Sequence, residues 1–578
     1  MLTLVLACAI LSAEPEPLVV FDTAACFEPF GDDSVLKYDA LKLAASLQGL
    51  ANRERPRLVL RFMPALDDYW LDLMRRDWLK DRPLRRANSL EELIGLFPDC
   101  ARGVVLWDPA LAATSNVAAT VCGVEGWLPV RAGSALYGRL VKEGPKLPVK
   151  MSLVGKFDSK CGAYLWAKEE YLDTGKCNDA LMAYYIDAYT QKPGEPGYAY
   201  HDLANATLAN QDYYIARRAF FFDLGPWHDE APVDDPGQEP GTDRKTLIAL
   251  LRSLYAQNKG GKIATVGGFV PWNLKYTNFG AAGGKHEPVP TEWEYAAILS
   301  AHNAIMDADA LGLSCLTNAS AYAHYPLRDH YEQNPRPVPR PLEPKTYVLV
   351  YTGDYDSAAW LARHIPSVWD DPARGKIPMA WAFNPNLADR VPHVFDHIYR
   401  TRTENDWFIG GDSGAGYLNP NLLVGERLGS GLPDALDLWV EHNKSYYERF
   451  DYTITGFVIN GFHGDMPLRL QKAYAQFSPD GVGMQLGFEQ PLVDGTPFLR
   501  HVSDIYPKLD NLQKTAAQMA FFAKQDKPQF LIYRMILQKP STVLAIRDLL
   551  QQSRNQHNWE FCDPYTFFDL YKKFLERS

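Results

Sequence analysis

The sequence predicts an α/β protein: a C-terminal (β/α) barrel-like domain of seven or eight strands, preceded by small α/β N-terminal domains. Three observations lead there. Short apolar runs recur along the second half: "KIATVGGF", "LSCLTN", "TYVLVYTGD", "IPMAWAFN", "DWFIGGD", "ITGFVING", "GVGMQLGF", "PQFLIYRM" and "WEFCD". Most are unbroken, as strands buried on both faces require. Amphipathic helical stretches such as residues 432–449 and 497–525 lie between most of them, and alternating strand and helix implies a parallel sheet. Seven to nine such strands over roughly 310 residues suit a barrel better than an open sheet. The Pro-rich piece "EQNPRPVPRPLEPK" replaces the helix before Thr346, so some strands are accessory to the barrel.

The first half is less regular. "ALKLAASLQGLANRERPRLVLRF" reads as helix, turn and strand over residues 57–62. "SLEELIGLFPDCARGVVLWD" repeats that order, with Ser89 as the helix cap and a strand over residues 103–107. A third unit carries a Tyr-rich helix around residues 181–189 and the apolar run "RRAFFFDLG". The acidic, Pro- and Gly-rich "GPWHDEAPVDDPGQEPGTD" has no apolar period and reads as a linker. At the start, residues 2–13 are apolar and too short to span a bilayer, so a secretory signal is expected. The expected division is therefore a signal peptide over residues 1–13, a first α/β domain over 14–86, a second over 87–149, a third region over 150–224, a linker over 225–243 and the barrel-like domain over 244–578.

Composition narrows the partners. The 578 residues are 47% hydrophobic and 22% charged, which excludes disorder over most of the chain. A net charge of -11 and a pI near 5.7 argue against a nucleic-acid backbone and leave room for a neutral ligand such as a sugar. No later segment reads as a stable membrane insertion. Eight cysteines form no CxxC pair, so no structural zinc site is expected. Cys100 with Cys122, and Cys161 with Cys177, are spaced for local disulfides, or are buried free thiols. The expected location is secreted or periplasmic.

In barrels of this kind the working groups sit where strands end. Those positions hold Asn318, Asp354, Asp356, Asn384, Asp412, Asn460 with His463 and Asp465, and Glu489. Together they would make a polar rim on an apolar barrel, the usual build of a small-molecule site. The stretch "GGDSGAGYLNP" is a loop at one such strand end. Its glycines, Gly414 and Gly416 beside Ser413, can bring backbone N–H groups to a ligand, with Tyr417 as a stacking wall; the alternative is a tight bend that needs positive φ. It is not a phosphate loop, because no Lys-Ser/Thr follows.

"GAGYLNP" resembles the signature of the GxGYxYP family of putative glycoside hydrolases. "SLQGLANRERPRLVLRF", "YTGDYDSAAWL", "IPMAWAFNPNLADRVP" and "NDWFIGGDSGAGY" are similar to further family elements in the same order. The resemblance implies small N-terminal α/β domains, a barrel-type C-terminal domain and a carbohydrate substrate. Two departures stand out. Asn419 occupies the place of the signature's second Tyr, and Asp356 that of the final Asn in an Asp-Gly-Asp-Asn element.

Three functions fit these residues. Glycoside hydrolysis would draw its two carboxyls from Asp354 or Asp356 and from Asp412 or Glu489, with His463 and Asp465 orienting substrate. A metal-dependent carbohydrate deacetylase would hold a divalent cation near Asp354 and Asp356, with His463 as a further ligand. A carbohydrate-binding protein would use the same face without turnover. The hydrolase reading is the one carried forward, with no cofactor. His393 and His397, one turn apart in "PHVFDHIY", read as a packed or surface pair away from the mouth.

Overall fold

The computed structural model describes residues 16–80, 82–185, 210–232, 234–235, 237–268, 270, 276–278, 284–309, 316–427, 429–526, 528–552 and 557–577. The expected signal peptide and Cys315 lie outside them. The fold is mixed α/β, with several parallel sheets and one curled, half-barrel sheet. Strands β1 (Leu18–Asp22), β2 (Leu58–Arg61) and β3 (Leu84–Ala87) pair in the order β2-β1-β3. Strands β4 (Val104–Trp107), β5 (Leu128–Arg131) and β6 (Val149–Ser152) pair as β5-β4-β6. Strands β7 (Leu181–Tyr184), β8 (Phe220–Phe222), β9 (Ala264–Gly267) and β10 (Ala304–Asp307) form a sheet in the order β10-β9-β7-β8.

The curled sheet contains β11 (Thr346–Tyr355), β12 (Met379–Phe383), β13 (Asp406–Asp412), β14 (Ile454–Val458), β15 (Gly481–Met484), β16 (Leu492–Val493), β17 (Thr496–Arg500), β18 (Ser503–Ile505), β19 (Gln529–Ile536) and β20 (Trp559–Phe561). Its order is β16-β17-β15-β14-β13-β12-β11-β19-β18, with β20 also on β11. Every pairing is parallel except β16 with β17. β12, β13 and β14 are buried at every position, the state that unbroken apolar runs anticipate. The Ser89 cap forms as expected, accepting from the Glu92 amide of the Leu90–Leu96 helix.

Several expectations are corrected. "KIATVGGF" contains β9, but β9 pairs with β7 and β10 and does not join the curled sheet. An apolar run reveals that a strand is buried, not which neighbour buries it. "LSCLTN", expected as a strand of the barrel, is not one over its residues 316–318, and the strand that follows the Pro288–Ser300 helix is β10, in the β7–β10 sheet. Residues 181–184 are strand, not helix, because they lie between two parallel partners. The first part of the expected 497–525 helix is β17 and β18, and only Leu512–Phe521 is helical. The 225–243 stretch is pinned to its surroundings: Asp234 and Asp243 each lie 2.7 Å from the buried Lys160 ammonium, and Asp243 accepts from the Gly225 amide. All six cysteines among the described residues are free thiols.

The β7–β10 sheet is joined to the curled sheet by a buried ionic clamp. Arg390, after β12, reaches Asp307, the last residue of β10, at 2.7 Å and Asp309, just beyond it, at 2.5 Å. Both carboxylates also bind the start of the Ala358–Trp369 helix. Asp307 accepts from the Ala358 amide, and Asp309 from the Ala359 amide and the Ser357 hydroxyl. Burial alone would push the Arg390 guanidinium toward losing its proton, but the two aspartates outweigh that and hold it charged. We expect Arg390→Ala to cost about 3–5 kcal/mol, since it strands two buried carboxylates; chemical denaturation checks this, and a cost below about 1 kcal/mol would assign the joint to apolar packing instead.

Candidate active site

A cavity of about 360 Å³ opens where strands of the curled sheet reach their C-terminal ends. Its lining includes Asp354, Asp356, Asp412 and Tyr417 from the sequence-predicted set, with Glu292, Trp293, Ala308, Trp360, Gln485, Asp504, Tyr506 and Arg534. A wider cleft of about 680 Å³ elsewhere, against Arg217, Asp389, Glu441 and His442, holds none of the predicted residues.

Asp354, the penultimate residue of β11, has a left-handed φ of 65°, a conformation aspartate adopts more readily than most residues. The chain then turns so that the Asp356 carbonyl accepts from the Ala308 amide, directly between the two clamp aspartates. The next helix starts at Ala358, held by those same aspartates. The clamp therefore sets the path of the Asp354–Asp356 loop.

Asp412 ends β13 and is 1% exposed. Asn384 brackets its backbone, accepting from the Asp412 amide at 3.0 Å and donating to its carbonyl at 3.2 Å. Asp356 and Asp412 line the same cavity and their side chains act directly on each other, so charge on one disfavours charge on the other. Burial pushes the Asp412 carboxyl up to about 7, with Asp354 and Glu292 adding to the rise against Arg534. Burial and the charges of Asp412, Asp354 and Glu292 hold Asp356 well above the usual carboxylate range. Like charges this close cannot both ionise readily, so the pair keeps a proton at neutral pH.

Arg534, from β19, lies 2.5 Å from Asp354 and 3.2 Å from Asp504. Burial disfavours its charge, but Asp354, Asp412 and Asp504 more than offset that. Its guanidinium stacks 4.8 Å above the Phe457 ring. Below it Tyr351, Phe457 and His501 pack against one another, and the Tyr351 hydroxyl reaches Asp412 at 3.4 Å. The site is a polar layer on an aromatic plug.

The glycine loop serves the protein rather than an open space. A Cβ on Gly414 would lie 2.4 Å from Asn443 Oδ1, and one on Gly416 2.3 Å from Ile305 Cδ1, both at positive φ. The loop is pressed on its helix and on β10, with Ser413 binding the Leu418 carbonyl and the Ile459 amide. Tyr417 is only 3% exposed, so it offers no open ring face for stacking. Its hydroxyl donates to Glu292 at 2.7 Å and its carbonyl accepts from the Met306 amide.

The other predicted residues lie apart. Asn318 is buried against β2, bonded to the Leu60 backbone, Gln48 and Asp67. Asn460 orders its loop through the Gly464 carbonyl and Leu486 amide. Glu489 and Asp465 are exposed outside the cavity, and His463 lines a separate pocket beside Glu294. His393 and His397 are buried against Trp70. Among the described residues no group of three or more His, Cys, Asp and Glu is placed to hold a metal ion. Of the residues missed, Arg534 had a signal: a charge inside the apolar run "LIYRM". Glu292 had none, being one of two acids on its helix.

Residues 344–572 match the model of the GxGYxYP putative glycoside hydrolase C-terminal domain, a span that holds every strand of the curled sheet. The fold is similar to that of a putative hydrolase from Bacteroides thetaiotaomicron VPI-5482, with a TM-score of 0.68 and 17% identity over 97% of this chain and 95% of that one. No curated protein matches the chain.

The raised Asp412 pKa fixes a pH dependence. A carboxyl that holds its proton more tightly when folded adds stability below the unfolded value near 4, and that stability is lost as pH rises toward about 7. Melting temperatures of wild type and Asp412→Asn should therefore diverge in favour of the variant between about pH 4 and 7, then run parallel. A constant difference across that range would contradict the buried pair.

Proposed function

We propose that the protein hydrolyses a glycosidic bond in a neutral carbohydrate, with the Asp356–Asp412 unit as the proton-holding acid. The observation that carries this reading is two buried carboxyls on one wall of the cavity, Asp356 and Asp412, whose burial and mutual charge hold both well above the usual carboxylate range. A general acid works best when its pKa lies near the working pH. The match to a domain named for glycoside hydrolysis supports the same chemistry.

The substrate class follows from the lining. Among the described residues, Glu292, Asp354, Asp356, Asp412 and Asp504 face one cation, Arg534. That field disfavours uronic, sulfated or sialylated sugars. Trp293, Trp360 and Tyr506, the last 63% exposed, offer apolar faces for sugar rings. We further propose that the curled sheet acts as a closed seven-stranded barrel. β17 bonds to β15 and β18 to β19, while His501 and Val502 between them donate to Met484 and Ile532 on the two sides. One stretch of chain would then close the sheet and deliver Asp504 to the mouth.

In this reading Arg534 holds Asp354 and Asp504 in place, and Asn384 fixes Asp412. The shared proton passes to the leaving oxygen as the anomeric C–O bond breaks. Asp356→Asn and Asp412→Asn should each lower kcat/KM on an unactivated glycan by about 10²–10⁴-fold, with melting temperatures no lower than wild type. Wild-type activity should fall as pH rises past about 7. Full activity in both variants would reject the assignment. Binding of neutral glycans with no product released would favour a binding protein instead.

A further inference from the structure

Asp356 and Asp412 share one wall of the cavity and act directly on each other's charge, whereas glycosidic hydrolysis needs carboxyls roughly 5 Å or more apart on opposite sides of the bond. Asp356 and Asp412 therefore supply one function, and a second carboxylate must face them. The geometry points to Glu292 as that group, supplied from outside the stretch that matches the family model; the inference rests on the glycosidase reading. Glu292 lies in the Pro288–Ser300 helix, before residue 344. It lines the same cavity, and its charge acts on both Asp356 and Asp412.

Three contacts hold this helix and the adjoining strand to the glycine loop. The Tyr417 hydroxyl donates to Glu292 Oε1 at 2.7 Å. The Asn419 amide donates to the Ser300 hydroxyl at 2.9 Å. The Met306 amide, in β10, donates to the Tyr417 carbonyl at 2.9 Å. The Thr291 hydroxyl accepts from Trp227 at 3.1 Å, fixing the first turn. Burial and the neighbouring Glu292 charge raise the Tyr417 pKa, so Tyr417 keeps its proton and serves as a fixed donor. That leaves Glu292 held by the Tyr417 hydroxyl and backed by a packed loop. The glycines let the loop press against β10 closely enough for Tyr417 to reach Glu292.

The step balances with water as the co-reactant. Glu292 takes a proton from water as its oxygen bonds to the anomeric carbon. The bond from that carbon to the leaving oxygen breaks, and that oxygen takes the proton shared by Asp356 and Asp412. The next turnover returns the proton from Glu292 to solvent and restores the pair's own. The neighbouring Trp293 stands beside Glu292 on the same cavity wall, so the helix carries both a reacting group and a sugar-facing ring.

The test uses the full chain with 2,4-dinitrophenyl glycosides of neutral hexoses and N-acetylhexosamines, with and without sodium azide. Their leaving group departs as a phenolate and needs no acid, so the assay isolates the opposite carboxylate. We expect Glu292→Ala and Glu292→Gln to lose about 10²–10⁴-fold in kcat. Glu292→Gln preserves size and an acceptor for Tyr417, so its melting temperature should match wild type. Azide should restore the Ala variant at least about tenfold, with a glycosyl azide as product, because the anion attacks without needing a base. A variant rate within about threefold of wild type, a loss confined to KM, or a loss that azide leaves untouched overturns the assignment. Asp356→Asn and Asp412→Asn separate the two levels. If they impair unactivated glycans while the Glu292 variants do not, the glycosidase reading stands and Glu292 falls. If wild type cleaves no glycoside in the panel, both fall.

Discussion

The buried pairing of Arg390 with Asp307 and Asp309 is the constraint on which the rest of the molecule turns. Its aspartates lie at the end of β10 and just past it, and its arginine follows β12, so it joins two separate sheets. The same carboxylates bind the amides that open the Ala358–Trp369 helix. Such a group of charges is costly to bury and repays the cost only when every partner is in place. Once formed, it fixes Ala308 against the Asp356 carbonyl, and so fixes the loop carrying Asp354 and Asp356. The site is thus a consequence of how two sheets dock, not of the curled sheet alone.

That docking also explains the electrostatics. The cavity brings five acids around one arginine and seals them over the Tyr351, Phe457 and His501 plug. With buried aromatics beneath it, Asp412 responds chiefly to burial, and Asp354 and Glu292 add to the rise. Arg534 prevents the cluster from being simply repulsive by taking Asp354 and Asp504 as partners. What remains is a division of labour among like side chains: two aspartates tied to a guanidinium, two sharing a proton, and a glutamate held by a tyrosine hydroxyl.

Much of this was legible in the sequence because burial writes itself into apolar runs. The runs holding β11, β12, β13, β14, β15, β19 and β20 were each readable, and Asp354, Asp356, Asp412 and Tyr417 follow from the rule that strand ends carry chemistry. Pairing was not legible. β9 looks like its neighbours in the curled sheet but hydrogen-bonds with β7 and β10. β17 and β18 are short and polar-flanked, so they were hidden inside an expected helix. Glu489, Asp465 and His463 satisfy the strand-end rule yet sit outside the cavity, because those loops run on for several residues before turning. Asn318 was misplaced with its supposed strand. Glu292 could not be found at all, since it reaches the cavity only through the docking of a helix from another sheet.

The account stands on a proton held between two aspartates at neutral pH. Infrared difference spectra of wild type minus Asp412→Asn, recorded across pH, observe that proton directly. The account predicts a protonated-carboxyl band that persists to neutrality and disappears with a midpoint near the raised value of about 7. A carboxylate already ionised by about pH 4–5, as for an ordinary exposed aspartate, would contradict it.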